Sequence, residues 1–233
     1  MRLLVSVRSV QEAVLAAAGG ADFIDLKEPR AGALGALPLA TVREIVAALR
    51  ERGIDRPLSA TIGDWPMHAL AEIGARVEAV AACGVNYVKV GIERDPLARE
   101  LLDALARCGR PVVPVFIADR GLDAALVAHA AGLGFAGLMV DTADKRAGSV
   151  FDCLTMHALQ DFMTRARAAS SLCGLAGALR IEDVPRLAAL APDFAGFRTA
   201  VCAGDRSAAL DPQRLRELAQ ALRAVHEDSL SLG

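Results

Sequence analysis

Lysine is almost missing from this chain. Of its 26 basic residues 23 are arginine, and lysine stands only at positions 27, 89 and 145. Aromatic residues are scarce too, at 4% of 233 residues, with one tryptophan (Trp65) and one tyrosine (Tyr87). So few rings leave little for a base-stacking surface, and a net charge of -2 provides no cationic field, so no nucleic-acid partner is expected. The four histidines, His68, His129, His157 and His226, form no HxxxH or HxH spacing, and no metal is expected. The five cysteines are odd in number and include no CxxC pair, which reads as reduced core thiols in a cytoplasmic protein. No run reaches the ~18 apolar residues a bilayer span needs. The opening MRLLVSVRSVQE is interrupted by Arg8 and Glu12, too soon for a signal peptide, so no membrane association is expected either.

What the chain does have is 54% hydrophobic residues in a regular alternation. Short apolar runs at 2–7, 23–27, 58–64, 86–92, 111–119, 135–142, 172–179 and 193–201 each precede an amphipathic segment. Ser9 is placed to cap the first helix, with glycine at that helix's end, and Asp95 with Pro96 is placed to open the fourth. A single helix is expected over 152–170. Continuous apolar strands alternating with helices form a parallel sheet covered on its helix side. Eight such units predict an α/β fold, a (β/α)8 TIM barrel, as one domain over 1–233. A doubly wound open sheet is the alternative, though it needs fewer units.

In such a barrel chemistry sits where the strands end. Asp25 and Lys27 close the second run, Asp64 follows the third and Lys89 lies in the fourth. Asp141 closes the sixth with Lys145 in the loop behind it, and Arg198 lies in the eighth. The three lysines thus belong to alternate strands, which share interior layers. A bland reading makes two structural salt bridges, Asp25–Lys27 and Asp141–Lys89. The sharper reading confines lysines together so that one amine gives up its proton near neutral pH and attacks a carbonyl, while a second moves protons. Asp25 is then the expected partner of Lys27, and Asp141 that of Lys89.

The loops after the seventh and eighth strands of TIM barrels often hold phosphate. Here Gly177 and Gly204 can present backbone N–H groups to an anion, with Arg198 or Arg206 to pair with it. Asp64 is counted with these substrate-contacting residues. Trp65 is either a wall of the site or a packed aromatic. Asp119 and Arg120 are expected to end their strand and face water.

The motifs ADFIDLKEPRAGALGA, SATIGD, YVKVG, DTADKRAGSVFD, LAGAL and GFRTAVCAGDR, in this order over nearly the whole chain, resemble the (5-formylfuran-3-yl)methyl phosphate synthases. These are also named 4-(hydroxymethyl)-2-furancarboxaldehyde-phosphate synthases. The resemblance implies a TIM barrel that condenses two molecules of glyceraldehyde 3-phosphate to a furan aldehyde phosphate, with release of phosphate and water. It implies a product that supplies the furan of methanofuran-type one-carbon carriers; separately, no cofactor is expected and a homo-oligomer is. The family's Schiff-base lysine falls on Lys27 and its proton-transferring lysine on Lys89, with Asp25, Asp141 and Lys145 in support. Ala178 replaces the polar residue that usually follows the glycine of the seventh-strand motif. The rival expectations are a class I aldolase or isomerase acting on another phosphosugar, and a non-catalytic barrel that binds one.

Overall fold

The apolar runs become strands buried on both faces, and the polar residues among them mark where the barrel interior opens. The computed structural model describes residues 1–144 and 148–231. Its eight strands are β1 (Arg2–Val7), β2 (Phe23–Leu26), β3 (Leu58–Thr61), β4 (Tyr87–Ile92), β5 (Val112–Ile117), β6 (Gly137–Asp141), β7 (Leu172–Leu175) and β8 (Phe194–Phe197). They pair in parallel in chain order and close β8 onto β1, which excludes the open sheet.

Helices α1 (Val10–Ala18), α2 (Leu39–Glu51), α3 (Leu70–Ala81), α4 (Ala98–Arg107) and α5 (Ala124–Gly132) follow the first five strands. They are joined by α6 (Val150–Cys153), α7 (Met156–Ala168), α8 (Val184–Leu190) and α9 (Pro212–Ser231). Ser9 caps α1 by accepting from Glu12 N at 3.2 Å, and Gly19 ends the helix. Two expectations need correction. Asp95 accepts from Leu97 N at 2.8 Å in a turn before α4 instead of capping the helix itself. The helix expected over 152–170 is two helices, because Leu154 is extended (φ -129°, ψ 143°) and Thr155 caps α7 anew.

The strand faces divide the core in two. Ile24 and Leu26 point outward into the layer shared with the helices, and both are fully buried. Such a side chain stabilises the fold by roughly 1.5–3 kcal/mol. Phe23, Leu4, Val115, Met139 and Phe194 face inward as a separate interior cluster.

The interior is layered, and the strand register shows how. In a barrel of shear eight, a given height advances one residue per strand, or two between alternate strands. Asp25 is in register with Ser59 and Ser59 with Tyr87, so the β4 residue level with Asp25 is Lys89. Lys89 faces Val113, and Val115 faces Met139, which joins the same layer. Met139 leads through Gly174 and Phe194 to Gly196, and Gly196 leads through Leu4 and Phe23 back to Asp25. The middle layer is therefore Asp25, Lys89, Met139 and Gly196. Two residues further along each strand, the upper layer is Lys27, Gly91, Asp141 and Arg198. Two residues back, the lower layer is Phe23, Tyr87, Gly137 and Phe194, in which the two phenylalanine rings touch at 5.4 Å between centroids.

Candidate active site

The layers decide which charges meet. Lys27 Nζ donates to Asp141 Oδ2 at 3.2 Å within the upper layer. Lys89 Nζ pairs with Asp25 Oδ1 at 3.0 Å within the middle layer. These pairs exchange the partners expected from the sequence, Asp25 with Lys27 and Asp141 with Lys89. Asp25 and Lys27 share a face of β2 but stand about 7 Å apart along it, in different layers, whereas the barrel's stagger lifts Lys89 to the height of Asp25. All four side chains are buried, with none above 8% exposed. At that depth each ammonium has its own carboxylate, so the two like charges do not face each other unscreened.

Each carboxylate is held on its second side. Ser59 Oγ donates to Asp25 Oδ1 at 2.6 Å and Ser6 Oγ to Asp25 Oδ2 at 3.1 Å. Asp141 Oδ1 accepts from its neighbour's backbone, Thr142 N, at 2.8 Å. Sequence reasoning passed over both serines, although a serine at an inward position of the runs RLLVSV and LSAT is the polar signal that betrays them.

Above these pairs opens a cleft of about 570 Å³, counted out to solvent, with Asp25, Lys27, Lys89 and Asp141 in its floor and walls. The upper layer has no side chain on β4, where Gly91 stands, and Leu34 from the loop after β2 fills the gap. Leu34 is 2% exposed, and its N–H donates to Asp64 Oδ1 at 3.0 Å. Asp64 thus anchors this loop and does not line the cleft. Trp65 is also absent from the cleft; its Nε1 donates to the carbonyl of Ile62 at 3.1 Å and it packs on the main core. Asp119 is exposed but not idle, since it accepts from Ala143 N and Asp144 N and tethers the loop after β6. Lys145 lies outside the described residues.

The loops after β7 and β8 form the far rim. Gly177 (φ 107°) and Ala178 (φ 47°) turn the chain through two successive positive-φ residues. A Cβ on Gly177 would come within 2.9 Å of Thr142 Cγ2, so the closeness of the two loops also requires glycine there. The backbone N–H groups of Gly177, Ala178 and Leu179 have no protein acceptor among the described residues. All three residues line the cleft. Arg206 lines it as well, and burial pulls its guanidinium below its ordinary value while the nearby Asp141 opposes that.

Arg198 departs from the anion-binding part expected of it. A guanidinium has five N–H donors, and all of them are used. Nη1 and Nη2 donate to Glu12 at 2.6 and 3.1 Å, and the rest go to the carbonyls of Ser6, Arg206 and Ala208. Gly204 is exposed and stands outside the cleft. Among the described residues there is no group of side chains that could hold a metal ion, and no helix is long and apolar enough to cross a membrane.

A closed eight-strand parallel barrel with buried lysine–carboxylate pairs at its mouth places the chain in the TIM-barrel fold class. Solved structures share the fold: 3-hexulose-6-phosphate synthase from Salmonella typhimurium superposes with a TM-score of 0.66 at 20% identity, covering 97% of this chain and 100% of the other. Phosphoribosyl anthranilate isomerase from Thermus thermophilus gives a TM-score of 0.66 at 18% identity over the same shares. The sequence narrows the class. A family described as 4-HFC-P synthase matches residues 3–219. The (5-formylfuran-3-yl)methyl phosphate synthase of Methanopyrus kandleri is 37% identical, over 95% of this chain and 98% of its own. That of Methanosarcina mazei is 35% identical, over 94% and 97%. The chain belongs to the 4-HFC-P synthase family.

Proposed function

We propose that the protein converts two molecules of glyceraldehyde 3-phosphate to (5-formylfuran-3-yl)methyl phosphate, with release of inorganic phosphate and water, through a Schiff base on Lys27. The observation that carries this reading is the buried pair of Lys27 with Asp141 at the open end of the barrel. Lys27 adds to the triose-phosphate carbonyl, its ammonium proton passing to Asp141, and water leaves to give an iminium. The iminium draws electrons from the adjacent carbon, so a proton there becomes removable. Lys89, held by Asp25 and backed by Ser59 and Ser6, exchanges that proton and assists the loss of phosphate.

The nucleophilic carbon then adds to the aldehyde of the second triose phosphate. Ring closure and dehydration give the furan, and hydrolysis of the iminium returns Lys27. Two separate ion pairs suit this sequence, one at the carbonyl and one at the neighbouring carbon. The unpaired N–H groups of Gly177, Ala178 and Leu179, with Arg206, form an anion cradle for a substrate phosphate. In this reading the enzyme is a carbon–oxygen lyase that supplies the furan of a methanofuran-type carrier.

The test is glyceraldehyde 3-phosphate alone with the purified protein. One phosphate freed per two trioses consumed, with a rising furan absorbance, is expected. A class I aldolase or an isomerase frees none, and that outcome rejects the reading.

A further inference from the structure

We infer that Glu12 is a positioning residue for substrate phosphate: through Arg198 it presents Arg206 to the cleft. The inference rests on the anion cradle proposed above and adds to it a residue on the far side of the barrel wall. Glu12 belongs to the first turn of α1, yet only 8% of it is exposed. Its two carboxylate oxygens take both terminal nitrogens of Arg198, a fork that fixes the guanidinium in one plane. The other three donors of Arg198 then have defined targets. One reaches Ser6 O on β1 at 3.0 Å, and two reach Arg206 O and Ala208 O at 2.9 and 2.7 Å.

The last two acceptors belong to the loop after β8, whose tip carries Arg206. The base of that loop is closed by Ala203 N donating to Ala209 O at 3.0 Å and by the bridge between Cys202 and Leu210. The tip is folded on itself, with Asp205 Oδ1 accepting from Ser207 N and Oγ at 2.8 and 2.6 Å and Asp205 O accepting from Ala208 N at 3.0 Å, bonds that stay within the loop and tie it to no other element. Among the described residues the guanidinium of Arg206 makes one long contact, Nη2 to Gly32 O at 3.4 Å. Arg198 therefore fixes the backbone from which Arg206 reaches over the mouth, and Glu12 fixes Arg198.

Charge points the same way. Arg198 is itself a wall of the cleft. Without Glu12 its uncompensated charge and freed donors would draw an anion to its own position, away from Arg206 and the N–H groups of Gly177 to Leu179. With Glu12 in place Arg198 offers the anion no free donor. Ser6 adds a second line of influence, since its carbonyl accepts from Arg198 while its hydroxyl donates to Asp25.

The experiment titrates inorganic phosphate by calorimetry into the full-length protein and its variants Arg206→Gln, Glu12→Gln and the double variant. Wild-type protein should bind. Arg206→Gln should weaken binding by about tenfold or more, and Glu12→Gln by about three- to tenfold. The double variant should be no weaker than Arg206→Gln alone, because Glu12 acts through Arg206. In turnover, Glu12→Gln should raise KM more than it lowers kcat, a split that a general loss of folded protein does not produce. Arg198→Lys keeps the cation opposite Glu12 but cannot reach three carbonyls, so it should show the same weakening if Glu12→Gln fails to fold. Wild-type affinity in both Glu12→Gln and Arg198→Lys, or losses that multiply in the double variant, overturns the role of Glu12 while the cradle stands. No phosphate binding by the wild type overturns both.

Discussion

Lys27 and Asp141 meet across the barrel mouth at 3.2 Å, from β2 and β6, while Asp25, two residues from Lys27 on the same strand, serves Lys89 instead. The exchange separates two roles that the linear spacing of Asp25 and Lys27 had merged. It predicts that the two carboxylates fail differently. Asp141→Asn leaves a buried ammonium without its counter-charge, at a cost of about 3–5 kcal/mol, and should stop covalent trapping at Lys27. Asp25→Asn should leave that trapping in place and stop turnover. Thermal melts and mass analysis of trapped protein check both, and the reverse pattern would restore the pairing within β2.

The turn at Gly177 is a steric prediction. Alanine there meets a φ of 107° and a contact of 2.9 Å to Thr142, and should lose roughly 1–3 kcal/mol. Phosphate affinity should fall with it, because the N–H groups of the cradle move. Ala178 already sits at φ 47°, so Ala178→Gly should hold or raise the melting temperature. A drop there would mean the turn is not strained.

Leu34 fills the place that Gly91 leaves open in the upper layer. Leu34→Ala should cost about 2–5 kcal/mol, since it empties a packed position. It should also raise KM, because the wall beside Lys27 is lost. Chemical denaturation and steady-state kinetics measure the two effects, and an unchanged stability would show that the loop repacks.

Cys173 gives the pH dependence. Burial, with Asp193 adding to it, raises its thiol from an ordinary 9.0 to about 11. The folded protein therefore holds a proton that the unfolded chain releases. This contribution is full below pH 9.0 and is lost as the pH climbs to about 11. Melting temperature should fall across that interval, and less steeply in Cys173→Ala. Equal slopes would contradict the assignment.

The barrel was legible in the sequence because each strand run and each amphipathic segment announces itself locally, and eight of them in alternation leave one arrangement that closes. Lysine scarcity singled out Lys27 and Lys89 for a similar reason, as rare residues at the end of one strand and within another. The pairing was not legible. It depends on the stagger of alternate strands, which builds up through the register of successive neighbouring strands and brings together side chains 64 (Asp25 to Lys89) and 114 (Lys27 to Asp141) residues apart in the chain. Arg198 was misjudged because Glu12 reads as an ordinary acidic residue in a helix's first turn, favourable to the dipole there. Only the fold brings the two together. The break at Leu154 was hidden for want of a glycine or proline to mark it.

The central claim is that Lys27 forms the Schiff base, and the most direct test is borohydride reduction in the presence of glyceraldehyde 3-phosphate, followed by peptide mass analysis. The account predicts a reduced adduct on the peptide carrying Lys27, absent without substrate and absent in Lys27→Arg. An adduct confined to Lys89, or one undiminished in Lys27→Arg, would contradict it.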